Sequence, residues 1–104
     1  MAKILHVEDN ALWRDIVKSS LEEAGHQVLS FSALPPAVKA YEEGNFDLVI
    51  CDGNLVNDND GVRWAEQLHS QGQKTVVVSG NAKTQVPFVS KGAFDAKKIL
   101  CMLE

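Results

Sequence analysis

Cysteine is scarce in this chain: Cys51 and Cys101 stand fifty positions apart, each in an apolar segment. With no C-x-x-C pair and no histidine spacing suited to zinc, a disulfide framework and a structural zinc site are excluded, and both thiols are expected in the core. Long hydrophobic runs are missing as well. No apolar stretch approaches the ~20 residues that span a bilayer, and Met1-Ala2-Lys3 leads into a strand-like run rather than a signal peptide, so a soluble, cytoplasmic protein is expected. Positive charge is in short supply: ten Lys and Arg against fourteen Asp and Glu leave a net charge of −4. That balance argues against fold-wide affinity for nucleic-acid phosphates or an anionic membrane. No linker, internal repeat or low-complexity tract interrupts the 104 residues. One domain spanning 1–104, with a single modest core, is the expectation.

What is present alternates. Ile4–Val7 is an apolar run without two-residue alternation, as expected of a strand covered on both faces. Asn10 is placed to cap a helix over 11–24, with Trp13, Ile16, Val17, Ser20, Leu21 and Ala24 as one stripe and Gly25 as its stop. A short strand over 27–32 follows. Pro35 and Pro36 then suit the first turn of a helix whose inner face is Val38 and Tyr41 and which Gly44 ends. Leu48–Cys51 reads as a buried strand terminating on Asp52. After an Asn- and Asp-rich loop, Gly61, Trp64, Ala65 and Leu68 recur at helical spacing, and Gly72 closes that helix. Thr75–Val78 is a fourth strand running into Ser79. Val86–Ser90 is a fifth, tolerating Pro87 as an edge strand would. Asp95 opens a last helix with Ala96, Ile99, Leu100 and Leu103 inward.

Alternating strands and helices imply right-handed crossovers, a parallel sheet, and a crevice at the carboxyl ends of the strands. The polar residues cluster there: Glu8 and Asp9 after the first strand, Asp52 after the third, Ser79 after the fourth and Lys91 after the fifth. Three converging carboxylates repel one another unless a cation joins them, and hard oxygen ligands suit magnesium. Lys91 offers a point charge and Ser79 a hydroxyl for phosphoryl oxygens, which leaves Asp52 as the candidate nucleophile for an aspartyl phosphate. Residues 57–61 resemble a calcium loop only superficially. With Gly61 at the sixth position, Val56 would be the first ligand and Gln67 the twelfth, so the EF-hand reading fails. The three histidines do not converge, and both tryptophans are expected in helix-to-sheet packing.

On these residues the chain resembles the receiver domain of two-component response regulators over its whole length, apart from one gap. The resemblance implies an α/β fold with a doubly wound, five-stranded parallel sheet in the order 2-1-3-4-5. It also implies that Glu8 and Asp9 are the acidic pair, Asp52 the phosphoacceptor, and Asn54 the residue whose backbone carbonyl contacts Mg²⁺. Ser79 matches the switch hydroxyl, Gly80 the small residue beside it, and Lys91 the lysine of the motif. Phe88 matches the aromatic that swings inward. Asn54 and Asn81 fall where the family tunes the lifetime of the aspartyl phosphate. Two local departures stand out. Gly92 follows Lys91 where the family usually has proline, and the loop after Asp52 lacks its usual proline and runs about one residue long.

The gap is between Ser79 and Lys91, where the family fits a whole helix. Outside strand five only Gly80–Gln85 remain, against the ~10–12 residues a helical crossover needs, so the fourth helix is expected to be missing or reduced to a loop. A parallel strand five is then just within reach, and it is favoured over a hairpin that would carry Lys91 to the wrong end of the sheet. Loss of that helix would also uncover an apolar face that a partner or a second copy of the chain, as a homodimer, could use. The expected function is a phosphorelay receiver rather than an enzyme, catalysing only its own phosphotransfer to Asp52 and its own dephosphorylation. The donor would be a histidine kinase or phosphotransfer protein. Mg²⁺ would sit on Asp9, Asp52 and the Asn54 carbonyl, with Glu8 acting through a water. With no effector domain after Glu104, the output would be altered binding of a downstream protein. The alternative is a pseudo-receiver that signals by binding alone, and a small phosphohydrolase ranks third because Asn54 stands where a second carboxylate would be needed.

Overall fold

The computed structural model describes residues 2–52, 60–79, 88–90 and 99, with only the backbone described at Asp52, at residues 60–62 and 88–90, and at Ser79. Among these residues eight elements follow in chain order: β1 (Lys3–Val7), α1 (Ala11–Glu23), β2 (Gln27–Phe31), α2 (Leu34–Glu43), β3 (Leu48–Asp52), α3 (Asp60–Ser70), β4 (Thr75–Ser79) and β5 (Phe88–Ser90). They build one five-stranded sheet in the order β2-β1-β3-β4-β5, parallel at every pairing. The expected fold class and strand order are therefore found.

The strands carry apolar residues on both faces because both faces are covered. Leu5, Val7, Val49, Cys51 and Val77 pack under α2 and α3, with Ala37, Trp64, Ala65 and Leu68. Ile4, Leu48, Ile50, Val76 and Val78 form the other layer with Val17 and Leu21 of α1, Val28 and Ile99. Cys51 is a buried thiol, as expected, whereas Cys101 lies outside the described residues. Trp64 is a packing residue: the ring of Tyr41 meets it edge-on at 5.9 Å, joining α2 to α3. Leu5 is fully buried on β1, which has a strand on each side. Leu5→Ala is expected to cost about 2–5 kcal/mol through lost transfer energy and an uncollapsed cavity. Urea unfolding followed by circular dichroism measures it, and a cost below about 1 kcal/mol would mean that the site collapses around the smaller side chain.

Local signals behave as their chemistry dictates. Asn10 caps α1, its Oδ1 accepting from the Trp13 N–H at 3.1 Å. Past the other end of α1, Gly25 takes φ +93°, a left-handed conformation that side chains rarely adopt. Two of the stripe residues need correction. Ile16 is 38% exposed and Ala24 is exposed, because α1 meets the sheet through the narrower row of Val17 and Leu21. Ile16 instead shares the outer shoulder with Leu12, one turn earlier and 69% exposed.

The fifth strand decides the main topological question. Val77, Val78 and Ser79 pair in parallel with Phe88, Val89 and Ser90, so the hairpin alternative is excluded. Residues 80–87 make the connection. Fully extended they reach about 26–29 Å. The return needs only about 7 Å back along β4 and about 5 Å sideways, since β5 is three residues long and starts opposite Val77. A short β5 thus relieves the tight geometry that a five-residue strand would impose. The expected loss of the fourth helix, the start of strand five at Val86 and, Ile99 apart, the last helix fall outside the described residues.

Candidate functional site

The crevice lies where the crossovers diverge, beyond the carboxyl ends of β1 and β3. Val7 pairs with Cys51, so Glu8, just past the end of β1, comes level with Asp52, the last residue of β3, neighbouring parallel strands being about 4.8 Å apart. Asp52 pairs with Val78, and Ser79 follows at the end of β4. Ser79 pairs with Ser90, the residue before Lys91. Register therefore sets Glu8 beside Asp52 and, one position further toward the carboxyl edge, Ser79 beside Ser90, at the same end of four adjacent strands. Phe88 lies opposite Val77, two positions back from that edge. Asn54, Gly80, Asn81, Lys91 and the Lys91–Gly92 peptide lie outside the described residues.

The acidic pair divides by environment. Glu8 is 1% exposed, while Asp9 is exposed. The turn that carries them is held from several directions. The Glu8 N–H donates to the Phe31 carbonyl at 2.9 Å, and the Arg14 N–H to the Asn10 carbonyl at 2.9 Å. Arg14 also reaches back from the first turns of α1, its Nη1 donating to the Glu8 carbonyl at 3.0 Å. The Glu8 Oε2 lies 3.5 Å from the Asn10 N, at the long limit for a hydrogen bond. Arg14 was not legible as part of the site from its residue type. The available signal was its position, four residues after the N-cap and so one helical turn above the acidic turn. Among the described residues no three acidic, histidine or cysteine side chains form a metal-binding group, the Asp52 carboxyl and Asn54 not being among them.

A groove of about 550 Å³ opens at the opposite end of the sheet, lined by Ala2, His26, Phe46, Asp47, Gln73 and Lys74 among others. Its polar groups serve the fold. His26 Nδ1 accepts from the Ala2 N–H at 3.0 Å and Asp47 Oδ2 from the Lys3 N–H at 2.8 Å, which fixes the start of β1. The site with converging acids is at the other end.

The response regulator receiver domain family matches residues 4–98, nearly the whole sheet and all three described helices. The chain belongs to that family. This receiver domain resembles the crystal structure of the response regulator TrrA of Thermotoga maritima in complex with Mg²⁺-BeF, with a TM-score of 0.83 at 23% identity over 100% of both chains. It also resembles the chemotaxis protein CheY4 of Vibrio cholerae, with a TM-score of 0.80 at 21% identity over 99% of this chain and 96% of that one. The receiver domain of the hybrid histidine kinase CckA gives 0.80 at 25% identity over 98% and 99%. No curated protein matches the chain by sequence. Receiver domains are generally non-enzymatic modules of two-component signalling that interact with histidine kinases and downstream effectors. No helix among the described residues is long and apolar enough to cross a membrane.

Proposed function

We propose that this receiver domain is a working phosphoacceptor in which Asp52 takes a phosphoryl group from a phosphohistidine on a histidine kinase or phosphotransfer protein. The observation that carries the reading is the parallel register of β5, whose last residue, Ser90, stands opposite Ser79 and directly precedes Lys91. Glu8, Asp9 and Asp52 form a hard-oxygen donor set of the kind Mg²⁺ takes. Asp9, Asp52 and the Asn54 backbone carbonyl would hold the ion, with Glu8 acting through a water. The exposure of Asp9 and the burial of Glu8 support that division of roles. When bound, the ion supplies positive charge against the phosphoryl oxygens.

In the transfer, one carboxylate oxygen of Asp52 attacks phosphorus as the bond to the donor imidazole nitrogen breaks. The bond pair leaves with the imidazole, which takes up a proton, and an aspartyl phosphate results. Lys91 and the Ser79 hydroxyl grip the phosphoryl oxygens, and Phe88 follows Ser79 as the switch aromatic. Attack by water on phosphorus later returns Asp52 and inorganic phosphate. The output is a changed affinity for a downstream protein, in a cytoplasmic setting.

The second reading, a module that signals by binding alone, draws on the short path from Ser79 to Lys91. The test is intact mass after incubation with acetyl phosphate, with and without Mg²⁺. We expect one added phosphoryl group that requires the ion. A chain that takes up none, and that also fails to bind the beryllofluoride analogue, is a binding-only module.

A further inference from the structure

The turn between β1 and α1 leaves an exposed carboxylate, Asp9, on a segment whose backbone is fixed with unusual care. Arg14 makes the least expected of these contacts. Its guanidinium, beside an acidic pair, donates to a backbone carbonyl, that of Glu8, at 3.0 Å. That carbonyl belongs to the planar peptide unit joining Glu8 to Asp9. The Glu8 N–H is already held by Phe31 of β2, and Asn10 is held as the helix cap. Fixing the carbonyl between them sets the tilt of the Glu8–Asp9 plane, and with it the direction in which the Asp9 side chain leaves the chain.

We propose that Arg14 is a positioning residue for the divalent-ion site, acting on the ligand Asp9 through the Glu8 carbonyl. The inference rests on the reading of Asp9 as a metal ligand. Positioning and charge predict opposite signs. As a mere positive charge beside the Glu8–Asp9 turn, Arg14 would weaken cation binding, and its removal would tighten it. As a clamp it strengthens binding, and its removal would loosen it. Groups that orient metal ligands are typically worth about 10–100-fold in affinity.

The experiment is a Mg²⁺ titration of the full chain followed by backbone amide shifts in a ¹H–¹⁵N spectrum, with no phosphodonor present. Arg14→Met keeps the aliphatic stem and its packing but removes donor and charge. Arg14→Lys keeps charge and a donor. We expect Arg14→Met to raise the Mg²⁺ dissociation constant about tenfold and Arg14→Lys to stay within about threefold of wild type. Tighter binding by Arg14→Met would show a charge effect, and unchanged binding with only a lower melting temperature would show a structural one. Either result overturns the proposal. Asp9→Asn separates it from the underlying reading: if Asp9→Asn binds Mg²⁺ like wild type, or wild type shows no saturable response, Asp9 is not a ligand and both fall.

Discussion

Asp52→Asn emerges from incubation with acetyl phosphate and Mg²⁺ at its unmodified mass, whereas the wild-type chain gains one phosphoryl group; this is the largest effect expected of any single substitution. The reason is chemical. A carboxamide oxygen is neutral and a poor nucleophile, and it cannot yield the acyl phosphate that a carboxylate gives. The substitution is also gentle on the fold. Residue 52 contributes its backbone to the pairing of β3 with β4 opposite Val78, which asparagine preserves. Three carboxylates at neighbouring strand ends repel one another without a cation, so Asp52→Asn should leave the Mg²⁺-free melting temperature unchanged or raised. Labelling that persists at full stoichiometry in Asp52→Asn would move the acceptor to another residue. A sharply lowered melting temperature would instead assign Asp52 a structural task.

The sheet was legible because its strands are buried on both faces. Leu48–Cys51 and Thr75–Val78 read as continuous apolar runs, and their odd and even residues divide between the two core layers. The strand-end acids were legible for the same reason, since a polar residue that stops a buried run marks where the chain leaves the sheet. Helix faces were harder to read. Periodicity put Ile16 and Val17 on one stripe, but a helix lying on a twisted sheet buries a narrower row than its hydrophobic positions suggest, and Ile16 fell outside it. The direction of strand five was legible only as a preference for the parallel form, because six or eight connecting residues permit either sense. The parallel pairing of Phe88–Ser90 with Val77–Ser79 settles it, and a strand of three residues needs only a short return. Arg14 was hidden because its contact is to a backbone carbonyl, an acceptor present at every position and invisible in a pattern of side chains.

Lys91→Ala is expected to slow phosphoryl uptake from acetyl phosphate by about 10²–10³-fold, the usual consequence of removing one preorganised donor from developing oxyanion charge. Mg²⁺ binding should survive, because the proposed ligands are Asp9, Asp52 and the Asn54 carbonyl. The two readouts together test whether the shortened path through residues 80–87 delivers the lysine to the phosphoryl group. Ser90 shares the carboxyl-end register with Ser79, and Lys91 is the next residue in the chain. Lys91→Arg should recover little, because a broad planar guanidinium on a three-carbon stem does not replace a compact ammonium. The rate is read from the time course of intact mass, with the Mg²⁺-dependent amide shifts measured beside it. A slow wild type that Lys91→Ala slows no further would mean that the lysine never reaches the site, and the binding-only reading would then gain the evidence it lacks. A large loss confined to the rate would establish that a receiver domain can present its lysine across a connection of only eight residues between β4 and β5.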